Sequence, residues 1–320
     1  MSFSRKVKEE LAKQISSSRH CQIAELAGII GMCGRIKISE NDDYKVYVHT
    51  ENIMVASKYY NLIKTLFETK VEVRVKINRQ FKNSVIYTVV VNDFSIAKKI
   101  LQVVKLLDSD GYISENLSVT DNIVIRNQCC KRAFLRGVFL ASGSISDPNK
   151  AYHFEINAST EEKAKQIQNI IKSFRLDAKI VLRKKNYVVY IKEGSQIVDV
   201  LNIMEAHLAL MNLENVRILK EMRNAVNRKV NCETANINKT VNAATRQIDD
   251  ILYIKDKVGF EQLNESLKEI AILRIENPDL SLVELGTQLS TPIGKSGVNH
   301  RLRKLSQLAN NIREQIKEEQ

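Results

Sequence analysis

The chain has 320 residues, 44% of them hydrophobic and 27% charged, which suits two or three globular domains and excludes wholesale disorder. Lys and Arg number 49 against 37 Asp and Glu, a net charge of +12 that points towards a polyanion partner. No run of about 18 apolar residues is present, so no membrane helix is expected, and the first residues, MSFSRKVKEELAKQ, lack the apolar core of a secretory signal. The expected location is therefore the cytoplasm.

Residues 1–19 read as an N-terminal helix, and an internal duplication follows. Ala24, Leu26, Gly28, Gly34 and Ile36 recur 109 positions later as Ala133, Leu135, Gly137, Gly143 and Ile145. After the first segment come a strand at 44–49, a helix at 52–67, strands at 71–77 and 85–91, and a helix at 94–107. After the second come a strand at 152–157, a helix at 161–174, strands at 178–183 and 187–192, and a helix at 195–204. Each half reads αββαββα, about 20–108 and 129–205, within a domain spanning 20–205. Ala24, Ala27, Gly28 and Gly31 share one helix face, as do Ala133, Gly137 and Ala141. Small side chains at this spacing let two helix backbones approach, which suits a central pseudo-two-fold pair. The alternative is that each glycine packs on its own sheet.

Cys21, Cys33, Cys129, Cys130 and Cys232 are odd in number and contain no CxxC pair. Cys129 and Cys130 are adjacent, an arrangement in which both do not easily serve one site. The reading is a reducing compartment with no disulfide framework, no zinc site and no cofactor.

From residue 206 to 320 the pattern is helical, with charge sorted into blocks. Residues 217–246 are basic, 249–284 hold nine acids and four bases, and 295–313 hold Lys295, Arg301, Arg303, Lys304 and Arg313 without an acid. A helix-turn-helix is read over about 281–310. Ser281 and Glu284 form a capping box, Leu282, Leu285 and Leu289 a core stripe, and Gly286 permits a close crossing. A second helix from Lys295 places Val298, Leu302, Leu305 and Ala309 on one face and Ser296, His300, Arg303 and Gln307 on the other. Asn299 and Lys304 flank that outer face. With Lys295 and Arg301 these are the candidate DNA-binding residues; the alternative is a solvated basic face.

The segment from Asn227 to Thr240, NRKVNCETANINKT, is rich in poor helix formers and is read as caps and turns, with Cys232 as a small packing residue. Its other reading is a second DNA- or partner-contacting surface built on Arg228, Asn231, Asn236 and Lys239.

The duplicated half resembles the LAGLIDADG homing-endonuclease fold over about residues 20–205. That resemblance implies a metal-binding acid just before the last glycine of each repeat helix; here Cys33 and Ser142 occupy those positions, and neither supplies a hard anionic ligand for magnesium. Asp147, beside Pro148, is read as a turn cap, and Glu25 has Phe134 as its counterpart. With the strings NRKVNCETANINKT, Ile275-Glu-Asn-Pro278 and Lys295 to Lys304, nearly the whole chain resembles the WhiA-type regulators of Gram-positive bacteria. The resemblance implies an α+β protein: a degenerate LAGLIDADG-like domain before an all-α helix-turn-helix domain. It also implies a non-enzymatic, nucleoid-associated regulator of cell division, chromosome organisation or sporulation. Double-stranded DNA is then the partner, with a sigma factor or partner transcription factor as a further one. The competing readings are a protein-binding adaptor and an active endonuclease. The first domain is also a candidate DNA surface through Arg74, Lys76, Arg79, Arg183, Lys184 and Lys185.

Overall fold

A computed structural model of the chain describes residues 2–38, 44–78, 84–107 and 122–318. Contacts divide it into two compact units, Met1–Lys220 and Glu221–Gln320. Arg79 lies outside the described residues.

The first unit opens with α1 (Phe3–Lys13), capped by the Ser2 hydroxyl and burying Val7 and Leu11. The first repeat follows as α2 (Arg19–Cys33), β1 (Gly34–Ile38), β2 (Tyr44–Thr50), α3 (Ile53–Phe67), β3 (Glu72–Asn78), β4 (Ser84–Val91) and α4 (Phe94–Val103). The second is α5 (Gln128–Ser142), β5 (Gly143–Ile145), β6 (Phe154–Ala158), α6 (Glu161–Lys172), β7 (Lys179–Arg183), β8 (Asn186–Ile191) and α7 (Gly194–Ile203). Both sheets are antiparallel, in the orders β1-β2-β4-β3 and β5-β6-β8-β7. Val46 pairs with Val91 in one, and Ile156 with Val189 in the other, so alternate strand residues turn into the same core. Side-chain caps from Asn52, Asp93 and Thr160 start α3, α4 and α6.

The expected central pair is α2 against α5, the most extensive helix contact among the described residues. A Cβ on Gly28 would stand 2.6 Å from the carbonyl oxygen of Phe134, and one on Gly137 would collide with the carbonyl oxygen of Glu25. The glycines face the partner helix rather than their own sheets. Asp147 accepts from the Asn149 amide at 2.9 Å, the turn cap expected of it.

In chain order, α8 (His207–Lys257) comes next and crosses the division between the units. The second unit continues with a 3-10 turn (Phe260–Gln262), α9 (Glu265–Glu276), α10 (Leu282–Gln288) and α11 (Lys295–Glu318). Its own core joins Ile251, Ile254, Ile270, Leu285, Leu289, Val298, Leu302 and Leu305.

The reading of Asn227–Thr240 as caps and turns is overturned, because the whole segment lies inside α8. Intrinsic propensity is a weak prior in so long a helix. Thr240 and Thr245 satisfy their hydroxyls on the carbonyls of Asn236 and Val241, one turn back at 3.0 and 3.1 Å. Cys232 is exposed and packs against no core.

Candidate nucleic-acid interface

Both ends of α10 are fixed. At its start Ser281 and Glu284 make both bonds of the capping box, with Glu284 accepting from the Ser281 amide at 2.8 Å; at its end the turn to α11 is held by two further contacts. The Ile293 amide donates to the Gly286 carbonyl at 3.0 Å, and a side chain at Gly286 would collide with the Ile293 carbonyl oxygen. Glu269 on α9 accepts from the Ser290 amide at 2.5 Å; that bond, with a smaller contribution from Arg301, holds the carboxyl below the usual range.

On this support α11 buries Val298, Leu302, Leu305 and Ala309, as its periodicity requires. The opposite face exposes Ser296, His300, Arg303 and Gln307, with Lys295 and Lys304 also exposed. Asn299 is half-buried at the edge. Arg301 turns away from this group: it is half-buried and its guanidinium reaches the Ser266 carbonyl at 3.4 Å. The face therefore offers hydroxyl, imidazole, amide and guanidinium groups, the donor and acceptor types that read base edges. Lys295 and Lys304 add cations suited to phosphate. Arg228, Asn231, Asn236 and Lys239 are all exposed on α8.

In the first unit, Cys33 and Ser142 end α2 and α5 in equivalent places, both half-buried and each bonded back to its own helix. The Cys33 thiol donates to the Ile29 carbonyl and the Ser142 hydroxyl to the Val138 carbonyl, each at 3.3 Å. Burial pushes the Cys33 thiol up to about 12 and the nearby Lys8 ammonium down to about 8. Lys8, Arg35 and Lys163 all act on Cys33, and Lys163 donates to the Gly31 carbonyl at 2.6 Å. A neutral thiol, a neutral hydroxyl and three cations are the reverse of what a dication needs. This donor set does not fit the nuclease metal.

The open face of the first sheet carries Arg35, Lys37, Lys45, Arg74 and Lys76 against Glu72, which takes Arg74 at 2.6 Å. On the second sheet Arg183 is paired with Glu155 at 3.2 Å, while Lys184 and Lys185 are exposed in the β7–β8 turn.

One expectation from spacing fails. His20 and Cys21 begin α2, Cys129 and Cys130 begin α5, and packing of the two helices brings all four side chains together. Adjacency does not keep Cys129 and Cys130 from one site, because the other two members come from the facing helix. The duplication carries the signal that was missed: the 109-residue offset superposes His20 on Cys129 and Cys21 on Cys130.

Among the described residues, no helix is long and apolar enough to cross a membrane. Three family models match the chain: the WhiA N-terminal LAGLIDADG-like domain over residues 19–107, the WhiA LAGLIDADG-like domain over 131–223 and the WhiA C-terminal HTH domain over 226–309. A protein of Lachnoclostridium phytofermentans named "Probable cell division protein WhiA" is 54% identical over 98% of this chain and 100% of its own length. One of the same name from Thermoanaerobacter pseudethanolicus is 50% identical over 98% and 99%. The crystal structure of full-length WhiA from Thermatoga maritima matches 97% of this chain and 99% of its own with a TM-score of 0.59 at 27% identity. Its agreement extends over both the duplicated domain and the helical one, and the chain belongs to the WhiA family.

Proposed function

We propose that the chain is a non-enzymatic, DNA-binding regulator acting in cell division or the related processes of chromosome organisation and sporulation. The observation that carries this reading is the outer face of α11. It is an exposed, acid-free surface of Ser296, His300, Arg303, Lys304 and Gln307 on a helix-turn-helix whose first helix is capped by the Ser281–Glu284 box and whose turn is held by Glu269 and Gly286. Such a helix enters the major groove, where Arg303 reads a base and Lys295 and Lys304 hold phosphates. The name of the relatives supports the cell-division setting. A protein that binds DNA in this way is expected on the nucleoid.

The exposed Arg228, Asn231, Asn236 and Lys239 of α8 form a second surface, for the DNA backbone or for a protein such as a sigma factor. Cys33 with its surrounding cations, and the neutral Ser142 hydroxyl, support a scaffold without nuclease chemistry. The test is duplex binding by the full chain across a salt series, together with plasmid incubation in magnesium or manganese. Preference for specific over random duplex, a steep salt dependence and intact plasmid are expected. Metal-dependent cutting lost on mutating a single acid would overturn the non-enzymatic reading. Absence of salt-dependent duplex binding would favour a protein adaptor.

A further inference from the structure

The beginnings of α2 and α5 meet beside the pseudo-two-fold axis, and each contributes two chemically soft donors. The Nδ1 atom of His20 lies 3.2 Å from the Cys130 sulfur, 3.4 Å from that of Cys21 and 4.0 Å from that of Cys129. All four donor atoms fall within 4.8 Å of one another. A tetrahedral zinc ion, with bonds of about 2.3 Å to sulfur and about 2.0 Å to nitrogen, has ligand–ligand edges of about 3.5–3.8 Å. The cluster is therefore already close to the required size. Among the described residues this is the only group of three or more His, Cys, Asp or Glu side chains able to share an ion.

We propose that His20, Cys21, Cys129 and Cys130 form a Cys₃His site for one structural zinc ion, which joins the two repeats at the start of their central helix pair. Three observations favour zinc over an accidental cluster. Three thiolates and one imidazole are a soft donor set that selects zinc and rejects magnesium or calcium. Cys21 and Cys130 are buried while His20 and Cys129 are exposed, so the ion is held from the protein side and reached from the solvent side. Neither helix has an acid in its first turn, so the two positive helix ends face the net negative charge of a zinc trithiolate without competition. A disulfide would use two of the sulfurs and leave the convergence of the third sulfur and the imidazole without a role. Zinc binding by three thiols and a neutral imidazole displaces three protons, and the ion stabilises the folded domain by linkage.

The test uses the reduced, chelator-treated full chain, with cobalt(II) as a spectroscopic probe and zinc as its competitor. The expected result is one cobalt per chain, with the thiolate charge-transfer band and intense visible bands of a tetrahedral sulfur site. Zinc should displace it one for one and raise the thermal midpoint. Cys129→Ser and His20→Ala, both at exposed positions, should each weaken binding by at least about tenfold while the apo chains remain folded. Cys33→Ser and Cys232→Ser, outside the cluster, should bind as the parent does. Three results would overturn the site: weak octahedral cobalt bands, retention of parental affinity in both cluster variants, or loss of two thiols to a disulfide in a chain that takes up no metal.

Discussion

Glu25 on α2 and Arg136 on α5 meet at 3.0 Å across the helix seam, with the carboxylate fully buried and the guanidinium 3% exposed. Lys58, from α3, reaches the same Glu25 oxygen at 3.0 Å, and Arg136 continues to Glu205 at 2.6 Å. Burial pulls the Lys58 ammonium down and Glu25 opposes that pull. Lys58 also donates to the carbonyls of Leu11 and Gln14, which ties the end of α1 into the network. Replacing Glu25 with Ala leaves two buried cations short of their shared anion and should cost about 3–5 kcal/mol. Lys58→Ala and Glu25→Ala should be strongly non-additive in a double-mutant cycle. Chemical denaturation of the four chains measures both quantities.

The helix pair itself is tested at its glycines. Gly28→Leu and Gly137→Leu insert a side chain where a partner carbonyl oxygen stands, so each should destabilise the first unit by about 1–3 kcal/mol or more. The second unit, with its separate core, should keep its own transition. An unchanged thermal midpoint of the first unit in Gly137→Leu would show that the helices do not pack as described.

On α11, Arg303→Ala should lose about 1–3 kcal/mol on a preferred duplex and relax the choice of sequence. Lys304→Ala should weaken every duplex alike and lower the salt slope by about one unit. Thermal stability should change little in either, since both side chains are exposed. Titration of specific and random duplexes across a salt series separates these effects. Parental binding by both variants would remove α11 from the groove.

Lys8 links stability to alkaline pH. Its folded value, about 8, lies below the ordinary lysine value of 10.5 because burial disfavours the ammonium. Between these values the unfolded chain holds more proton than the folded one, so the Lys8 contribution to stability rises from about pH 8 to 10.5. Below pH 8 the buried charge is a constant penalty. Lys8→Met should therefore raise stability at neutral pH by about 1–3 kcal/mol and flatten the alkaline rise. Denaturation curves of the parent and variant from pH 7 to 10.5 check this.

The duplicated architecture was legible because repeated glycines and strand periodicity are local signals that coincide at one offset. The outer and inner faces of α11 were legible for the same reason: one helical period sorts Val298 and Leu302 from His300 and Arg303. What escaped depends on pairing between distant segments. Glu25 looked isolated because its counterpart is Phe134, yet its partners, Arg136 and Lys58, come from other elements. The cysteine cluster is invisible to ligand spacing within any one segment, because its members come from both helices of the central pair. The continuity of α8 is not legible from Asn and Thr, whose local propensity disfavours a helix interior, although Thr240 and Thr245 bond the carbonyl one turn back.

The surroundings of Cys33 also decide what an acid at that position would do. An aspartate placed at position 33 would face Lys8, Arg35 and Lys163, each already oriented by the backbone or by α1. It would be neutralised where it stood, forming a salt link instead of recruiting magnesium. A carboxylate at position 33 is therefore available to a dication only in a chain that also lacks these three cations, which come from α1, β1 and α6.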